Sequence, residues 1–262
     1  MNQGVFAFLL LAGCAGIILS FSRARSRAVL AQDGLDEPGR RAAVLILLGA
    51  VLLLTVALPF AGGLAGGKPD TRHLTLVSLF GVHLVLAFFL ASYFVLSRKR
   101  SLSEFLRLRS ERPLADFSSG ILVGFAGWFL TVLALIVTAG VLWLARRSGG
   151  GNPGREVPST ILWMASRPLW VRIAIVVSAM VVEELFFRSF LQTRVGPLAA
   201  TLMFTAAHGV YGQPLVLVGI LVISTVLSIT FALYGNVLPC IAAHGTFDAI
   251  QMFVLIPLAV GR

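Results

Sequence analysis

The sequence carries little charge, and less of one sign than of the other. Of 262 residues only 12% are charged, and 11 Asp and Glu stand against 21 Lys and Arg. With 58% hydrophobic residues and a mean hydropathy of +0.93, the chain is far more apolar than an ordinary soluble domain, whose apolar share is about 45–50%. A soluble globular fold is therefore excluded. The formal net charge of +10 does not point to nucleic acid either, because the basic residues lie in short loops between apolar runs, without aromatic interleaving or a basic domain. Cysteine is scarce: Cys14 and Cys240 both fall inside apolar runs, which leaves no disulfide framework and no CxxC metal pattern. Leu11-Ala-Gly-Cys14 looks like a lipoprotein cleavage box, but no Lys or Arg precedes it and the apolar run continues past it, so a first membrane span is expected there. The sequence also lacks HExxH and an internal repeat. The missing repeat, with no paired interrupted helices, speaks against a carrier.

What remains is a succession of apolar runs. A span needs about 20 mostly apolar residues, and that length rule places spans near 4–21, 42–61, 74–96, 117–145, 169–192, 196–212, 214–234 and 236–260. The expected fold class is all-α: a polytopic membrane protein of about eight transmembrane helices around a polar intramembrane cavity. Gly and Pro mark the joints, as at Gly196-Pro197, Gly212-Gln-Pro214 and Gly235. Arginine is rich after the first and third spans, which places those loops in the cytoplasm and both termini outside. Ser101–Arg109 mixes apolar and basic residues and reads equally as a short interfacial helix or a solvated linker. Trp163 and Trp170 suit an interfacial belt, and Gly120-x-x-x-Gly124 is a weak sign of close helix packing.

Charge inside a span is costly, roughly 2.5–3.5 kcal/mol per residue on insertion scales, so such residues usually face protein or water and serve function. In the second half of the chain they gather in three stretches on successive predicted helices: Glu183-Glu-Leu-Phe-Phe-Arg188, Phe204-Thr-Ala-Ala-His208 and His244-Gly-Thr-Phe-Asp248. Glu184 and Arg188, four apart, share a helix face in the better order for an ion pair. Glu183 is turned about 100° from Glu184 and is left for another task. His244 and Asp248 also share a face. Three helices meeting on these faces would surround a cavity with one Glu, two His and one Asp.

Glu-Glu-x-x-x-Arg, Phe-x-x-x-His and His-x-x-x-Asp in this order resemble the three motifs of the CPBP family, the intramembrane proteases related to the eukaryotic CAAX prenyl endopeptidase and to bacteriocin-immunity proteins. The resemblance covers roughly residues 160–255 and divides the chain into N-terminal transmembrane helices with cytoplasmic basic loops (1–116) and a catalytic core (117–262). It implies an intramembrane endopeptidase in which Glu183 activates water, His208 helps to position it, His244 and Asp248 orient the site and stabilise the oxyanion, and Glu184, Arg188 and Phe204 support the helices. As to cofactors, none is favoured. Zinc held by Glu183, His208, His244 and Asp248 is the alternative, since two histidines and two carboxylates can bind it with a position open for water. The expected partners are a membrane-associated peptide or protein substrate and the lipid bilayer, with no nucleic acid. The expected location is a bacterial inner membrane with the site toward the cytoplasm. A non-catalytic scaffold or self-immunity protein that binds a peptide in the same cavity is the competing reading. Outside the motifs, His83 reads as a satisfied intramembrane histidine and Cys240 as an inert buried thiol.

Overall fold

The computed structural model describes residues 33–35, 37–64, 74–97, 101–145 and 158–259; the span expected at 4–21, with Cys14, lies outside them. The described chain is helical throughout. α1 runs from Pro38–Leu52 through a π turn at Leu53–Ala57 into Leu58–Leu64, α2 is Leu76–Ser97, α3 is Leu102–Phe105 and α4 is Pro113–Ala145. α5 is Ser159–Ala165, and α6 begins at Leu169–Ser178 and continues through π turns at Ala179–Glu183 and Leu185–Gln192 to Thr193–Val195. α7 is Pro197–Ala207 with a 3-10 turn at His208–Tyr211, α8 is Pro214–Tyr234, and α9 is Leu238–Ile250 extended through Gln251–Leu255 to Ile256–Ala259.

Proline and glycine punctuate this chain for physical reasons. Pro38, Pro197, Pro214 and Pro239 stand in the first turns of their helices, where the missing N–H has no intrahelical acceptor to lose. Gly212 and Gly235 close α7 and α8 with φ of 63° and 68°, a left-handed conformation that favours glycine.

Among the described residues, five helices are long and apolar enough to cross a membrane: Pro38–Gly62, Leu79–Ser97, Pro113–Leu144, Pro214–Tyr234 and Leu238–Ala259. α6 has comparable length, but Arg172, Glu183, Glu184, Arg188 and Arg194 interrupt its apolar character, and α7 is short. The burial pattern is that of a membrane protein. Large apolar side chains such as Phe88, Phe129, Trp143, Leu198 and Leu233 face outward, while Glu184, Arg188, Gln192, Ser224 and Ser228 are buried. The protein is an all-α integral membrane protein.

The interior is knit from both ends of the chain. Phe186, Phe187 and Phe190 of α6 pack with Phe89 and Tyr93 of α2, with α1, and with Phe204 of α7 in one core. Phe89 meets Phe190 edge-to-face with centroids 5.0 Å apart, an arrangement that adds about 0.5–1.5 kcal/mol beyond area burial. α3 differs from both sequence expectations. It is a short helix with Leu102 exposed, but its apolar anchor points into protein: Phe105 and Leu106 are buried, the Phe105 ring stacks on Tyr93, and the Leu106 carbonyl accepts from Ser189 Oγ at 2.7 Å. The next carbonyl, Arg107, accepts from Val237 N–H at 2.9 Å.

Four joints converge on one face through such contacts. Arg194 Nη2 and Tyr93 Oη donate to Asp33 Oδ2 at 2.6 and 2.7 Å. Asp116 Oδ2 accepts from Ser110 Oγ at 2.5 Å and from Asn236 Nδ2 at 2.8 Å. The joints near residues 33, 101–112, 194–196 and 235–237 thus share a side, as alternating crossings require.

Gly120 and Gly124 carry the closest helix crossing. A Cβ on Gly124 would lie 2.6 Å from both the Ala243 carbonyl oxygen and Thr246 Cβ, and one on Gly120 would collide with the Pro239 backbone. The weak GxxxG signal therefore marks where α4 presses on α9, beside His244. Gly124→Leu is expected to destabilise the protein by about 1–3 kcal/mol, the usual cost of overpacking. Thermal unfolding in detergent measures it, with Gly140→Leu, where a Cβ meets nothing within 4 Å, as the neutral control.

Candidate active site

The site forms where α6 meets α2, α7 and α9. On α6 the i→i+5 bonding of the π turns widens the helix locally, a feature often found at functional sites. Glu183 closes the first widened turn and Glu184 is the residue between the two. Adjacent in sequence, their carboxylates find different partners.

Glu184 is completely buried and has two. Its Oε2 accepts from Arg188 Nε at 3.0 Å and its Oε1 from His244 Nδ1 at 2.9 Å. Arg188, equally buried, donates on to Ser224 Oγ at 3.2 Å and lies over the Phe204 ring with its guanidinium carbon 4.9 Å from the centroid. Neutral groups continue the network: Ser224 Oγ donates to the Thr201 carbonyl, Thr201 Oγ1 to Ser228 Oγ at 3.0 Å, and Ser228 Oγ to Gln192 Oε1 at 2.7 Å. The chain pairs the buried charges and hydrogen-bonds them through Arg188 Nε and Nη2, while Arg188 Nη1 is buried with no partner. The sequence suggested that Glu184 serves Arg188 alone; it also grips the histidine of the third motif.

Glu183 faces the other way. Its Oε1 accepts from His83 Nε2 at 3.1 Å, while its Oε2 lies 3.8 Å from His208 Nε2 and has no hydrogen-bond partner. His208 is oriented from behind, since its Nδ1 donates to the Phe204 carbonyl at 2.8 Å. A neutral His208 therefore presents a bare Nε2 toward Glu183. The Phe204 ring packs against both His208 and His244, with centroids 4.7 and 5.8 Å away. His244, held at Nδ1 by Glu184, turns Nε2 toward Asp248 Oδ2 at 3.4 Å.

The sequence-expected quartet of Glu183, His208, His244 and Asp248 is thus drawn into two pairs, Glu183 with His208 and His244 with Asp248, joined by the Glu183-Glu184 peptide and by Phe204. Exposure is graded across them: the side chains of Asp248 and His208 are 29% and 21% accessible, that of Glu183 11%, and that of Glu184 none. Substrate can approach from the Asp248 and His208 side, with the Glu184 network as the floor. As placed, no three His, Cys, Asp or Glu side chains among the described residues are grouped to hold a metal ion. His83 is the residue that sequence reasoning passed over. Its apolar surroundings on α2 contain no motif, and only the fold brings it to Glu183, one hundred positions away.

Residues 165–250 match the sequence profile of a protein family described as Type II CAAX prenyl endopeptidase Rce1-like. The match covers about a third of the chain and makes this segment similar to that family. It holds all seven residues that the three motifs supplied and leaves His83 outside. No curated protein and no solved structure matches the chain. Within the matched segment, Glu183 Oε2 and His208 Nε2 face one another at 3.8 Å on the more accessible side of the site.

Removing one partner from a buried ion pair typically costs about 3–5 kcal/mol. Arg188→Ala is expected to destabilise the protein on that scale, because it strands Glu184 and loosens His244 with it. Thermal unfolding should show a fall much larger than for Ser224→Ala, which removes only a neutral partner.

Proposed function

We propose that the protein is an intramembrane endopeptidase that hydrolyses a peptide bond of a membrane-associated peptide or protein. The observation that carries this reading is the free oxygen of Glu183, buried, without a hydrogen-bond donor and facing the bare Nε2 of His208. A water molecule donating to both acceptors would be held and polarised there. Its oxygen attacks the scissile carbonyl carbon as a proton passes to Glu183. Negative charge develops on the carbonyl oxygen, which His244 stabilises as an imidazolium, donating from Nε2 beside Asp248 while Nδ1 donates to Glu184 and fixes the ring from behind. Collapse of the tetrahedral intermediate breaks the C–N bond, and Glu183 returns the proton to the leaving amine.

In this reading residues 117–262 supply the reacting groups and residues 1–116 the support, and no step passes through a metal ion. The joints that converge near Asp33, Arg109 and Arg194 face the cytoplasm of a bacterial inner membrane, following the concentration of arginine in the loops they belong to. The competing reading, a non-catalytic scaffold or self-immunity protein that holds a peptide, uses the same site but needs no acceptor pair.

Comparison of the membrane peptidome in cells carrying the wild-type protein or Glu183→Gln tests the proposal. Cleavage products present only with the wild type, from substrates that accumulate intact with an equally abundant variant, are expected. Equal products from both proteins contradict it. Chelation of the purified protein should leave turnover of an identified substrate unchanged; loss on chelation and recovery with zinc would assign a metal role to the same residues.

A further inference from the structure

The acceptor pair is held by a residue that no motif contains. His83 lies on α2, in the N-terminal half of the chain and outside the segment that matches the protease family. Its Nε2 is 3.1 Å from Glu183 Oε1, and both side chains are nearly buried, at 13% and 11% accessibility. A carboxylate only accepts, so Nε2 carries the proton and donates. The His83 Nδ1 is buried with no partner of its own. Among the described residues nothing else hydrogen-bonds the Glu183 carboxylate, whose second oxygen faces His208 at 3.8 Å. The His83 bond therefore distinguishes two otherwise equivalent oxygens, one spent on α2 and one left for chemistry.

We propose that His83 is a positioning residue for hydrolysis: its Nε2–H fixes Glu183 Oε1, orients the carboxyl plane, and leaves Oε2 as the single base directed at water beside His208. α2 thereby becomes part of the active site. Phe89 and Tyr93, one and a half to three turns further along α2, lock that helix against Phe186 and Phe190 of α6 and so set the distance from which His83 reaches. The inference rests on the proteolytic reading for its consequence, though not for its geometry.

Two measurements on the purified full-length protein in lipid nanodiscs test it. In 15N-histidine NMR, with the His83 resonances assigned by loss in His83→Leu, the geometry predicts a ring protonated at Nε2, with the Nε2 signal shifted by Glu183→Ala. A ring bare at Nε2, or a spectrum indifferent to Glu183→Ala, overturns the assignment whether or not a substrate is in hand. In turnover of a quenched-fluorescent farnesylated peptide ending in a Cys-aliphatic-aliphatic-X sequence, His83→Leu should lower kcat about ten- to a hundredfold, the effect of losing a hydrogen bond to a charged group, with KM unchanged. His83→Gln, which keeps an N–H donor near the Nε2 position, should recover most of that loss at the same melting temperature. Equal losses in both variants, or full rate in His83→Leu while Glu183→Gln is inactive, overturn the positioning role and leave the proteolytic reading standing. Full rate in Glu183→Gln sinks that reading itself.

Discussion

The fold depends on neutralising a guanidinium and a carboxylate where water cannot. Glu184 and Arg188 are wholly buried in a helix that crosses an apolar interior, and leaving either alone would cost more than most single interactions in a protein contribute. Their pairing is more than mutual. Because Glu184 accepts from Arg188 with one oxygen and from His244 with the other, the group that makes α6 tolerable inside the membrane also fixes the ring of a motif histidine sixty positions away. Arg188, through Ser224 and the Phe204 ring, ties in α8 and α7. One ion pair thus registers four helices, and the remaining reactive groups take their places from that registration.

The widening of α6 explains how two adjacent glutamates serve opposite sides. Glu184 feeds a sealed network, whereas Glu183 is directed to the histidines on α2 and α7. Aromatic packing around Phe186, Phe187, Phe190 and Phe204 excludes water from the floor, so hydrogen-bond donors placed there act at low dielectric and without reorganisation. The close approach of α4 at Gly120 and Gly124 presses α9 inward and keeps His244 within reach of Glu184. The N-terminal helices share this core, so the division at residue 116 separates sequence motifs and does not separate packing.

Most helices were legible because apolar runs and Gly-Pro joints are local signals. The run at 214–234 coincides with α8, and Gly196-Pro197 and Gly235 mark real ends. The i,i+4 spacing correctly paired Glu184 with Arg188, since that geometry needs only one helix. Contacts between distant segments were less visible. Nothing in the sequence near Phe105 shows that α3 tucks under Tyr93, and nothing around His83 shows that it reaches Glu183, because both depend on how α2 lies against α6. The second partner of Glu184 escaped for the same reason: helix periodicity assigns a face, and only packing decides how many groups meet on it.

The account divides labour between two adjacent carboxylates, and the matched pair Glu183→Gln and Glu184→Gln tests that division most directly, with melting temperature and peptide turnover measured on the same preparations. It predicts that Glu183→Gln melts with the wild type and does not cleave, whereas Glu184→Gln melts well below it because Arg188 loses its counter-charge. An active Glu183→Gln protein, or a Glu184→Gln protein that melts with the wild type, would contradict it.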